Sequence, residues 1–117
     1  MSDPVVNIGL VSNLFVRQMN FKNAGDAEAT HAHTFDHMTL LAKGKLKVAI
    51  GEEETVFVAP QIIFIKANVM HTLTAETDST VAYCIHALKD NNGDIISEDM
   101  VPKAEALLEV LSGIVVK

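Results

Sequence analysis

The chain has 117 residues, 49% of them apolar, and a formal net charge of −6. That length suits one domain around one core, and that apolar content excludes a disordered chain. No apolar run reaches the ~18 residues of a membrane helix, and an acidic total with one Tyr and no Trp argues against nucleic-acid binding.

In chain order, the start "MSDPVVNIGL" has no basic region before an apolar core, so no signal peptide is expected. Period-2 alternation begins with "NLFVRQMNF" (13–21), which ends at the turn cluster "KNAGD". "ATHAHTF" and "HMTLLA" follow. "KLKVAI" then puts Leu46, Val48 and Ile50 inward and Lys45 and Lys47 outward; with Lys43 these lysines read as a solvated face rather than a phosphate stripe. "GEEE" is a hairpin turn into "TVFVA". "QIIFI", "MHTLTA" and "TVAYCIHAL" are further strands, and "KDNNGD" is another turn. Strand signals at this spacing predict an all-β antiparallel sandwich or barrel. "VPKAEALLEVLSG" changes the period, with Leu107, Leu108 and Leu111 on one helical face, Pro102 in a first turn and Gly113 as a stop. The expected organisation is one domain over 1–117, with a barrel over about 13–97 and a short C-terminal helix over about 100–112. Odd positions look inward from His31 to Leu41 and even ones from Leu46 to Ile50, so a glycine bulge is expected at Gly44.

Three of the five histidines, His31, His33 and His37, lie in one strand-like stretch. Residues two apart on a strand share a face, so His31 and His33 can chelate one ion from backbones roughly 6 to 7 Å apart. Imidazole suits Zn, Cu, Fe and Ni. No Gly-rich phosphate loop and no G-x-S-x-G motif is present, and the paired carboxylates read as surface residues.

The same stretch resembles the first motif of the cupins, G-x5-H-x-H-x3,4-E-x6-G. Gly25, His31, His33, His37 and Gly44 match every spacing, with His37 where the family usually has Glu. The second motif, G-x5-P-x-G-x2-H-x3-N, aligns on His71 and puts Pro60, Lys66, Asn68 and Ala75 at the other named positions, so only the histidine survives. Asn68 can stand for the turn glycine because Asn tolerates positive φ. The resemblance spans roughly residues 13–88. It implies a cupin-type jelly-roll barrel with one divalent transition metal ion (Fe, Zn, Ni, Cu or Mn) held by His31, His33, His37 and His71. Four neutral ligands leave the ion's charge uncompensated, which favours an anionic small-molecule ligand or hydroxide and disfavours Mg and Ca.

His86 shares a strand face with Cys84 and is read as a neighbour of the site or a surface residue rather than a fifth ligand. Cys84 reads as a small buried apolar residue and, as the only cysteine, forms no internal disulfide. That fits a reducing, cytoplasmic setting. Asp36 is expected to turn away from His37, or else to bond a ligand histidine. Phe35, Thr39, Leu41, Phe64, Met70 and Leu73 are candidate pocket walls, ordinary core being the simpler reading for the apolar ones. No obvious acid or base stands beside the ligands. Two functions follow from the resemblance: a metal-dependent small-molecule dioxygenase or isomerase, or a non-catalytic metal- or ligand-binding module serving as sensor or store. Single-domain cupins are commonly dimers, and 13–21 reads as an apolar edge strand that needs cover, so a homodimer is expected.

Overall fold

A computed structural model describes residues 2–31, 37–89 and 91–93, without the side chains of 29–31 and 37. The expected C-terminal helix over about 100–112 and the whole of His33, Phe35 and Asp36 lie outside the described residues.

The described residues form nine strands: β1 (Val5–Val11), β2 (Leu14–Phe21), β3 (Ala27–His31), β4 (His37–Lys43), β5 (Lys45–Ile50), β6 (Glu53–Val58), β7 (Gln61–Ile65), β8 (His71–Ala75) and β9 (Thr80–Ala87). They form a five-stranded sheet in the order β1-β2-β9-β4-β7 and a four-stranded sheet in the order β3-β8-β5-β6. Every pairing is antiparallel, as the alternation predicted. No helix among the described residues is long and apolar enough to cross a membrane.

Buried alternate positions of both sheets meet in a main core that includes Met19, Phe21, Leu41, Leu46, Ile65 and Leu73, and Phe15 packs with Leu88 in a smaller cluster. Lys47 lies outside the core, near Glu54 (3.8 Å) and Glu76 (3.9 Å). Lys43 belongs to one sheet and Lys45 and Lys47 to the other, so the three form no common stripe.

The chain changes sheet at Gly44, between β4 and β5. Its φ of +86° suits glycine, and an added Cβ would collide with Thr80 Oγ1 and lie 2.7 Å from Thr77 Oγ1. A register shift between Leu41 and Lys43 precedes the crossing. Thr39 and Leu41 are buried before it, Leu46 and Val48 after it, so the expected slip of parity is present.

The sheet begins earlier than residue 13. β1 pairs with β2 through a two-residue turn at Ser12 and Asn13, with Ser12 at φ 51°. "VVNIGLV" is apolar on both faces, which hides its period, and "SN" lacks the glycine that advertises such a turn. β2 is consequently an inner strand between β1 and β9, not the edge strand expected of 13–21.

Candidate functional site

Register places the site at one end of the barrel. Glu28 on β3 pairs with Leu73 on β8, and His31 pairs with His71. Three residues of β3 thus span two of β8, and this bulge puts positions 28 and 31 on one face of the sheet. Without it an odd separation would put them on opposite faces. Of the four expected ligands, two therefore stand opposite each other in backbone register.

His71 is buried at 1% exposure. Its Nδ1 lies 2.9 Å from the carbonyl oxygen of Val69. A carbonyl only accepts, so Nδ1 carries the proton, and in the neutral ring the buried Nε2 carries the lone pair. That is the tautomer a metal ligand needs, with the second nitrogen tied to the backbone. The tight turn before β8 makes this contact: Asn68 has φ 61°, the positive value expected of it.

On the facing sheet, His37 begins β4 and pairs with Ile65. Met38 pairs with Ile85 and Thr39 with Cys84, so position 37 is next in register with position 86. His86 in turn pairs with Phe15 and stacks on its ring, centroids 4.7 Å apart. Its Nδ1 donates to the Ala87 carbonyl at 2.7 Å. His86 is thus half-buried in the same cross-strand row as His37, closer to the expected ligands than a surface reading allows. Among the described residues no group of three His, Cys, Asp or Glu is gathered for a metal. The two ligand positions in β3 and β4 have undescribed side chains, and His33 is undescribed altogether.

One row further into the barrel, Arg17, Cys84 and Thr39 are cross-strand neighbours. Across from them lies the row of Glu28, Leu73 and Val48. Arg17 Nη1 bonds Glu28 Oε1, with side-chain exposures of 14% and 6%, so an ion pair joins the two sheets through the interior. Burial pushes the Glu28 carboxyl above the usual carboxylate range, and Arg17 pulls it partly back. The second oxygen, Oε2, is buried with no hydrogen-bond partner among the described residues. Cys84 Sγ and Thr39 Oγ1 lie 3.6 Å apart. Burial pushes the Cys84 thiol up to about 11, as fits the small buried residue expected there.

The sequence reading missed this pair. Glu28 lies between Gly25 and His31, and Arg17 alternates in phase with the buried Phe15, Met19 and Phe21. That inward parity was the signal for Arg17. The barrel therefore does contain an acid near the histidine row. Of the candidate walls, Thr39, Leu41 and Leu73 are fully buried, whereas Phe64 and Met70 are 60% and 56% exposed. An apolar cavity of about 110 Å³ opens between the sheets on the β6–β7 side, lined by Val48, Ile63 and Ile65 among others, with Phe64 at its rim.

No protein-family model matches the chain, and no curated protein matches it. Solved structures do. A cupin-2 domain protein from Shewanella frigidimarina is similar at 13% identity and a TM-score of 0.62, over 74% of this chain and 83% of that one. A cupin from Methanocaldococcus jannaschii, described as an RmlC-like double-stranded β-helix, gives 13% and 0.65 over 74% and 82%. A cupin-like protein from Thermotoga maritima gives 20% and 0.64 over 73% and 68%. The fold is the cupin fold.

Proposed function

We propose that this cupin barrel holds one divalent transition metal ion on His31, His33, His37 and His71 and binds a small molecule beside it. The observation that carries the reading is the cross-strand pairing of His31 with a buried His71 whose Nδ1 is tied to the Val69 carbonyl. A buried imidazole with Nε2 as its lone-pair atom fits an Fe-, Zn-, Ni-, Cu- or Mn-type ion. When bound, such an ion supplies Lewis acidity and open positions for O₂ or substrate.

The reaction class this favours is a small-molecule dioxygenase or isomerase. Around the ion, His71 presents its lone pair, Arg17 and Glu28 form a polar floor, and Leu73, Val48 and Ile63 exclude water. The binding-module reading has one observation of its own. Arg17 holds Glu28 in an ion pair, which restrains that carboxylate from moving protons. Metal analysis of untagged protein purified without chelator, followed by O₂ uptake and isomerase assays on metal-loaded protein, separates the two. Absence of any bound metal removes the metal site and the enzyme reading, and leaves the small-ligand module alone.

We further read the protein as a cytoplasmic homodimer. The dimer is supported by an exposed apolar face on the five-stranded sheet, where Met38 pairs with Phe64 and Leu40 with Ile62. The cytoplasmic setting is supported by the free, buried Cys84.

A further inference from the structure

We propose that Arg17 and Glu28 are specificity-determining residues that select a small hydroxycarboxylate, Arg17 taking its carboxylate and Glu28 Oε2 accepting a hydrogen bond from the hydroxyl on the adjacent carbon. This deepens the reading of the barrel as a small-molecule site and rests on it, but not on the identity of the metal.

Three observations carry the inference. The pair lies inside the barrel, one row from the expected ligand histidines, and bridges the two sheets. Glu28 is the only hydrogen-bond partner of the Arg17 side chain among the described residues, and it engages only Nη1, so the guanidinium keeps further N–H donors. Glu28 Oε2 is buried with no partner among the described residues, although buried carboxylate oxygens are ordinarily bonded.

Stability alone does not call for this arrangement. A buried ion pair is often no more stabilising than apolar side chains of the same volume, and the neighbouring Leu73, Val48 and Ile63 show that this interior accepts such side chains. The chemistry left over is a planar cationic fork beside a hydrogen-bond acceptor. The fork suits a carboxylate. The acceptor suits a hydroxyl close to that carboxylate, because the two protein groups are themselves in contact. Arg17 and Glu28 cancel in charge, so the floor does not repel an anion.

The test is calorimetric titration of lactate and propionate into the full chain, zinc-loaded and chelator-treated. Wild type should bind lactate at least about tenfold more tightly than propionate, since propionate leaves Oε2 unbonded. The double variant Arg17→Met/Glu28→Leu replaces the pair with apolar side chains. It should fold, keep its zinc affinity and lose the preference. Should it not fold, Glu28→Met carries the test: it leaves Arg17 for the carboxylate and offers the hydroxyl neither acceptor nor donor, and the preference should fall below about threefold. Equal binding of the two acids by wild type overturns the inference, as does a preference that survives in these variants. Zinc binding without any preference sinks this inference alone. A preference for lactate in a protein that binds no zinc keeps it and sinks the metal site.

Discussion

Arg17 on β2 and Glu28 on β3 tie the two sheets together through the interior of the barrel. With side-chain exposures of 14% and 6%, neither charge is well solvated once its partner is gone. Arg17→Ala or Glu28→Ala alone should therefore cost about 3–5 kcal/mol, and the double change clearly less than the sum. Urea unfolding of the four proteins measures this. Additive losses would mean that the two side chains do not act as a pair.

Glu28 also sets a pH dependence. Its carboxyl is raised above the ordinary value of 4.5, chiefly by burial. The folded protein thus holds that proton more tightly than the unfolded chain does. The contribution is fully present below the unfolded value and is lost as pH rises through the higher folded value. The difference in unfolding free energy between wild type and Glu28→Gln should accordingly move against wild type as pH rises from about 4 to 7. A difference that moves the other way would show Arg17 outweighing burial.

Cys84 gives a simpler readout. A buried thiol pushed up to about 11 is almost wholly protonated near neutral pH, and the thiolate is the nucleophile. Iodoacetamide at pH 8 should leave the folded protein unlabelled and label it fully in denaturant. Rapid native labelling would place the thiol at the surface.

Much of this architecture was legible because strands advertise themselves by period 2. The crossing at Gly44 was readable as a parity slip between Leu41 and Leu46, and the positive φ of Asn68 as an Asn in a glycine position. β1 was not readable: Val5, Val11 and Gly9 blur its alternation, and only pairing with β2 reveals it. His71 could be placed by spacing, but its tautomer comes from a turn that brings Val69 O to Nδ1. Arg17 and Glu28 stand on consecutive strands but in different sheets. Neither looks chemical until the barrel brings them together.

Gly44 carries a test of the crossing itself. A Cβ there would sit 3.0 Å from Thr80 Cα and closer still to the Thr77 and Thr80 hydroxyls, which bond each other at 2.9 Å. Gly44→Ala combines that clash with a φ of +86°, so a loss of about 2 kcal/mol or more is expected in urea unfolding. A loss below about 0.5 kcal/mol, the range of an ordinary surface change, would mean that the crossing tolerates a side chain.

The proposed dimer rests on the outer face of the five-stranded sheet, where Met38, Ile62 and Phe64 are 43%, 64% and 60% exposed. Phe64→Glu would place a charge in that face. Light scattering at micromolar concentration should then show a dimer for wild type and a monomer for the variant. A monomeric wild type ends the proposal.

The metal site makes the most demanding prediction. Its proposed ligands come from two segments, 31–37 and His71, and His31 and His71 face each other in register. An ion bound there links strands that the chain joins only through a long excursion. Binding to the folded state alone should stabilise it by about 2.7 kcal/mol once free metal reaches a hundred times its dissociation constant. Protons compete for the imidazoles near their ordinary pKa of about 6.5, so the gain should fade between pH 7 and 5. His71→Ala removes the one ligand whose tautomer is already set, and His33→Ala removes an arm of the His-x-His chelate. Both should abolish most of the metal-dependent rise in Tm. Glu28→Gln should keep that rise, because Glu28 lies in the neighbouring row. The measurement is Tm against zinc concentration at pH 7.5 and 5.5 for wild type and the three variants. Superimposable curves for wild type and His71→Ala would show that these histidines hold no ion, and the proposed metal chemistry would fall with them.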